Sequence, residues 1–127
     1  MSDELPYVDL ETVEAVEQIM DEDGGAAVID FWSPSCGPCM SMAKDFAMVA
    51  GQFSDDEVRF FKINTATHAF LAAPFKIQSV PTILFVHRGV VLDAIIGAMP
   101  AARLGARSEW LAKKSSRKGL LGRFFGR

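Results

Sequence analysis

Seven residues, Ala26-Ala27-Val28-Ile29-Asp30-Phe31-Trp32, form an apolar run broken only by Asp30. The run is too uniformly apolar for a strand with one wet face. It predicts a strand covered on both sides, at the centre of a sheet. It leads directly into Ser33-Pro34-Ser35-Cys36-Gly37-Pro38-Cys39, which holds the only two cysteines of the 127-residue chain. The segment that follows, from Cys36 to about Gln52, has the spacing of a helix burying Met40, Ala43, Phe46, Ala47 and Ala50, with Lys44 and Asp45 outward. A buried strand that ends in two thiols on the first turn of a helix sets both the local architecture and the chemistry to look for.

A Cys-x-x-Cys at a helix start reads first as a redox pair. Free backbone N–H groups and the helix dipole favour a thiolate there, so Cys36 is expected to have a lowered pKa and to act as nucleophile. Cys39, one turn on, is the expected resolving thiol, which would attack the Cys36 sulfur and release a reduced target. Gly37 permits close approach of a substrate backbone, and Pro38 fits a first helical turn, where its missing N–H costs nothing. Three other readings stand beside this one. A structural zinc site wants four ligands, and the chain has no third cysteine and no closely spaced pair of histidines, so no metal is expected. A structural disulfide closing so short a loop would stabilise little. Two inert buried thiols are the third.

The rest of the chain supplies the frame. A helical pattern places Val13, Val16, Ile19 and Met20 on one face, with Asp9 or Thr12 as its cap and Gly24-Gly25 at its end. Strands are expected at Val58–Ile63, Thr82–Val86 and Val90–Ile96, the last two joined as a hairpin through His87-Arg88-Gly89. A short helix is expected from Thr67 to about Phe75, and a final helix, opened by Pro100, to about Lys114. The apolar stripe of that final helix (Ala101, Leu104, Trp110, Leu111) is thin, and Gly105 weakens it. Strands separated by helices pair in parallel, and the closing hairpin is antiparallel, so the fold class is α/β: a central mixed sheet of four to five strands flanked by helices.

Length and charge bound the remainder. One domain is expected over residues 1–114, with a basic, apolar and flexible tail over 115–127. The net charge of −3 hides an asymmetry. From Arg103 onward eight basic residues face Glu109 alone, while nine acids and no base precede Gly24. In the tail, Leu120, Leu121, Phe124 and Phe125 would share one side of a helix, although Gly119, Gly122 and Gly126 oppose helix formation. A membrane-surface or partner-docking element and a mobile solvated tail both remain open. Charge without a recognition module gives no specific nucleic-acid partner. The acidic N-terminus lacks an apolar signal region, so a cytoplasmic location is expected.

Together, Val28-Ile29-Asp30-Phe31-Trp32, Cys36-Gly37-Pro38-Cys39, Lys62-Ile63-Asn64, Val80-Pro81-Thr82, Gly89 and Gly97 resemble the thioredoxin family. The resemblance runs from about Pro6 to Lys114. It implies the thioredoxin fold and a protein-disulfide reductase with no cofactor beyond its redox-active disulfide. The implied partners are protein disulfides, with a thioredoxin reductase or a similar donor supplying electrons. It implies that Pro81 is the family's cis-proline, against an ordinary trans turn, and that Val80 pairs its backbone with a substrate strand. Ser35, Gly37, Pro38 and Gly97 would complete the substrate surface. Asp30 would be a buried carboxylate of raised pKa that accepts the Cys39 proton, with Lys62 as its partner; the bland alternatives are a satisfied polar group and an edge lysine. Trp32 would pack behind the redox loop, in a core or contact role. Two departures stand out: Ser35 replaces the Trp usual before the first cysteine, and Met40 follows the second where a basic residue is frequent. An alternative function is therefore a specialised redox adaptor or interaction protein with restricted clients on the same scaffold.

Overall fold

The structure is a computed structural model that describes residues 5–124, with side chains to Ser116. The expected tail face of Leu120, Leu121, Phe124 and Phe125 lies outside the described side chains, as do residues 1–4 of the acidic N-terminus. Five strands, β1 (Val8–Asp9), β2 (Ala26–Trp32), β3 (Arg59–Asn64), β4 (Thr82–His87) and β5 (Val90–Ile96), form one sheet in the order β1-β3-β2-β4-β5. β3 runs parallel to both β1 and β2, whereas β4 is antiparallel to β2 and β5. β2 is thus central, as its apolar run requires. The two-residue β1 was not expected from the sequence, since no pattern can register over such a length.

The helices cover both faces. α1 (Val13–Ile19) is capped by Thr12, whose hydroxyl accepts from the Ala15 N–H at 3.1 Å; Asp9 belongs to β1 instead. α2 (Gly37–Ala50) and α4 (Ala101–Phe124) lie on one face, and the short α3 (Ala69–Ala72) continues into a 3₁₀ turn, Ala73–Phe75. Alternate residues of β2 serve the two sides. Ala26 and Val28 meet Met42, Phe46, Val49, Leu104 and Leu111 on the α2–α4 side. Ala27, Ile29 and Phe31 meet Val16, Ile19 and Leu71 on the other.

Some expected faces are rotated. α2 buries Cys39, Met42, Phe46, Val49 and Ala50, the three-and-four spacing of one helical stripe, so Met40 is half exposed rather than buried. Val13 is likewise exposed, leaving Val16 and Ile19 to anchor α1. α4 passes Lys114 without a break and ends at Phe124, and its inward stripe is Leu104, Ser108 and Leu111. The β4–β5 hairpin turns through Arg88 and Gly89, both at positive φ, which matches a two-residue primed turn. A Cβ on Gly89 would run into the Met20 carbonyl oxygen, so glycine is required there twice over.

Candidate active site

β2, the central strand, ends at Trp32, and the loop after it folds back to start α2. The turn is held by the Thr65 N–H and hydroxyl, which both donate to the Trp32 carbonyl at 2.8 and 3.0 Å. The Cys36 N–H donates to the Ser33 carbonyl at 3.1 Å, and the Ser33 and Ser35 hydroxyls pair at 3.1 Å. Cys36 is the N-cap of α2, and Pro38 lies in the first turn. The two cysteines are joined in a disulfide, with Cα atoms 5.3 Å apart.

The pair is asymmetric. Cys36 is partly exposed, whereas Cys39 is only 3% exposed. The Cys39 N–H donates to Cys36 Sγ at 3.2 Å. A sulfur that already accepts from a helix N-terminal amide is placed to hold negative charge once the bond is reduced. The environment is therefore not that of two inert buried thiols. Among the described residues, no group of three or more His, Cys, Asp or Glu converges to hold a metal ion.

The second wall comes from the start of β4. The Val80–Pro81 peptide bond is cis, and the Val80 carbonyl oxygen lies 3.6 Å from Cys36 Sγ. The Thr82 hydroxyl donates to the Ser79 carbonyl at 2.6 Å, and the Gly97 N–H to the Pro81 carbonyl at 2.8 Å. Gly97 sits at φ +100°, a backbone region other residues avoid. Val80 is partly exposed, and Ser35, Gly37 and Pro38 are fully on the surface around Cys36. A Cβ on Gly37 would meet open space, so its bareness leaves room for an incoming chain rather than for a neighbour in the fold. Beside them stand Ile96, 72% exposed and paired with Thr82, and the half-exposed Met40. Sequence reasoning missed both as surface residues. An apolar residue immediately before the Gly97 break was the available signal for Ile96.

Asp30 lies beneath, 2% exposed; alternation along β2 puts it on the side of Ala26 and Val28, which α2 covers with Met42, and Cys39 is on the same buried stripe of α2. Its Oδ1 has no hydrogen-bond partner. Burial raises its pKa from 3.8 to about 7, and the nearby Lys62 charge partly offsets that rise. Lys62 is opposite Asp30 in the β2–β3 register and is itself buried, at 5% exposure, because β3 is flanked by β1 and β2. It is thus no edge lysine. Among the described residues it forms no direct ion pair; its ammonium stands over the rings of Trp32 (4.6 Å), Tyr7 (5.1 Å) and Phe46 (5.7 Å). Three aromatic faces supply the attraction that a carboxylate would otherwise give. Tyr7 and Phe46 are neighbours of Lys62 that no sequence pattern links to it. Trp32, partly buried with its Nε1 unpartnered, is the floor of this cage. The Tyr7 phenol is pushed up by burial and by the carboxylates of Asp9 and Asp30.

Comparison with known proteins agrees with this geometry. Residues 8–109 match the thioredoxin family. Over 77 residues the chain is 36% identical to thioredoxin 1 of Synechococcus elongatus, covering 61% of this chain and 71% of that one. Among solved structures, thioredoxin from Malassezia sympodialis superposes with a TM-score of 0.77 at 25% identity, covering 88% of this chain and 96% of that one. Thioredoxin from Trypanosoma brucei brucei gives 0.76 at 26% identity, over 89% and 97%.

Proposed function

The chain belongs to the thioredoxin family and is a thiol–disulfide oxidoreductase, a protein-disulfide reductase; from that premise we propose how its residues divide the work. Reduced Cys36 attacks one sulfur of a target disulfide as a thiolate. The target S–S bond breaks, its other sulfur leaves as a thiolate, and a mixed disulfide joins Cys36 to the target. The buried Cys39 thiol passes its proton to Asp30, directly or through water, and then attacks Cys36 Sγ. The target leaves as a dithiol, and the chain returns to the Cys36–Cys39 disulfide. Two electrons from a thioredoxin reductase or an equivalent donor reset the pair.

The observation that carries this reading is the asymmetry of the couple: an accessible sulfur on the helix N-terminus, and a buried one in the same layer as a carboxyl whose pKa is about 7. A base with that pKa is matched to proton transfer at neutral pH. Substrate would lie across Ser35, Gly37, Pro38 and Gly97 with its backbone against Val80 beside the cis-Pro81. Ile96 and Met40 would supply apolar contact in place of the aromatic ring that Ser35 lacks. Lys62 tempers the Asp30 pKa and is held in place by Trp32, Tyr7 and Phe46.

We place the activity in a reducing compartment, the cytoplasm, because both cysteines are consumed by the couple and none is left for structural bridges. The Cys39→Ser variant should accumulate mixed disulfides with protein substrates, and Cys36→Ser should lose insulin disulfide reduction. Full reduction of insulin by Cys36→Ser would overturn the assignment. No finding favours the adaptor alternative.

A further inference from the structure

Lys62 lies between two acids and pairs with neither. In the sheet register it is opposite Asp9 on β1 and opposite Asp30 on β2, and neighbouring strands stand about 4.8 Å apart. Paired residues share a face of the sheet, so the flexible four-carbon stem of Lys62 has both carboxyls within reach. Among the described residues neither acid forms an ion pair with it, and Asp30 Oδ1 accepts no hydrogen bond.

The ammonium stands instead over three rings. Trp32 and Phe46 are fixed walls: one ends β2 beside the redox loop, and the other is fully buried on α2, edge-on to Phe60 at 5.7 Å. Tyr7 is the third wall, 6.1 Å from the Phe46 ring and partly exposed, on the segment that leads into β1. Its phenol is pushed up by burial, then by Asp9 and Asp30, so the ring is near both carboxyls that flank Lys62. The other elements that close this layer contribute Ile83 opposite Asp30 on β4, Cys39 and Met42 on α2, and Leu104 and Leu111 on α4, whose Arg107 is paired with Asp93 at 2.7 Å. Of the side chains these elements turn inward only Cys39 titrates, and only when reduced.

We propose that Tyr7 is a positioning residue whose ring, with those of Trp32 and Phe46, holds the Lys62 ammonium off the Asp30 carboxyl. Ring faces attract the cation without supplying a counter-charge. Were the ammonium to close on Asp30, it would favour the carboxylate and make the group a weaker base. The cage thus keeps Asp30 a base matched to neutral pH, and its consequence for catalysis rests on the reading of Asp30 as the Cys39 proton acceptor.

The test follows the Asp30 carboxyl by carbon NMR in the disulfide form, where Cys39 carries no proton, together with release of a peptide mixed disulfide from Cys36 as a function of pH. Tyr7→Leu frees the stem of Lys62, so the carboxyl midpoint should fall from about 7 by about one pH unit or more, the effect of an opposite charge at close range. The midpoint for mixed-disulfide release should fall with it. Tyr7→Phe keeps the ring and should keep the wild-type carboxyl midpoint. In a Lys62→Gln background Tyr7→Leu should change nothing further, since the cation it frees is gone. A merely structural loss would lower stability but would not make the shift depend on Lys62. An unmoved or raised carboxyl midpoint in Tyr7→Leu, an equal fall in Tyr7→Phe, or an equal fall without Lys62 would overturn the proposal, the last of these marking entry of water instead. A fall in the carboxyl midpoint that leaves the release midpoint unmoved would uphold the cage and refute Asp30 as the acceptor.

Discussion

Asp30→Asn should make the protein more stable and less active, and the size of the gain follows from burial. The folded chain holds the Asp30 proton up to about pH 7, whereas the unfolded chain releases it near the ordinary value of 3.8. Between those two values the folded state binds the extra proton, so stability falls as pH rises through the window and is level above it. The gap between 3.8 and about 7 corresponds, at about 1.4 kcal/mol per pH unit, to about 4 kcal/mol lost by neutral pH. Asn has nearly the same shape and no charge. Its amide still costs something to bury, so the net gain should be about 3 kcal/mol above pH 7 and near zero at about pH 4. In a domain of this size that is a rise of roughly 10 °C in Tm. Denaturant unfolding of wild type and variant across this range gives the difference directly, and contributions from other titrating groups cancel. Insulin reduction by the variant should slow at neutral pH, because Cys39 loses its proton acceptor. If the variant gains nothing at about pH 8, or gains equally at every pH, Asp30 is not a carboxyl held neutral by desolvation.

Two further outcomes follow from the same geometry. Lys62→Gln removes the one charge that lowers the Asp30 pKa, so the midpoint for release of the mixed disulfide should move to higher pH and release at neutral pH should slow several-fold; rapid-quench measurement of a mixed disulfide with a peptide substrate checks this, and an unmoved midpoint counts against the coupling. Ser35→Trp places an aromatic ring on an exposed site beside Cys36 and should lower KM for insulin about tenfold with little change in kcat, in line with what one buried aromatic anchor contributes; an unchanged KM would mean that this surface does not meet substrate.

Much of this arrangement can be read from the chain before folding. β2 is legible because a strand buried on both faces needs an unbroken apolar run, and β5 because a hairpin turn and Gly97 bracket it. The redox pair is legible because its chemistry depends on residues close in sequence. The aromatic cage is not, since Tyr7, Trp32, Phe46 and Lys62 come from four separate elements or loops and meet only when β3 is slotted between β1 and β2. Sequence spacing puts Met40 on the inner face of α2 because a helix rich in Met and Ala offers several near-equal stripes. The cap at Cys36, which turns Cys39 inward, selects among them. The continuation of α4 beyond Lys114 was obscured by glycines at 119 and 122, whose helix cost dominates any local estimate.

The catalytic cycle depends on the ionisation of Cys36. Titrating the thiolate absorbance of the reduced protein, with Cys39→Ser to isolate the first sulfur, measures it. Cys36 should ionise well below the free-cysteine value of about 8.5, because the α2 amides and dipole favour its anion. Ionisation at or above that value would contradict the proposed nucleophile and, with it, the catalytic cycle built on the pair.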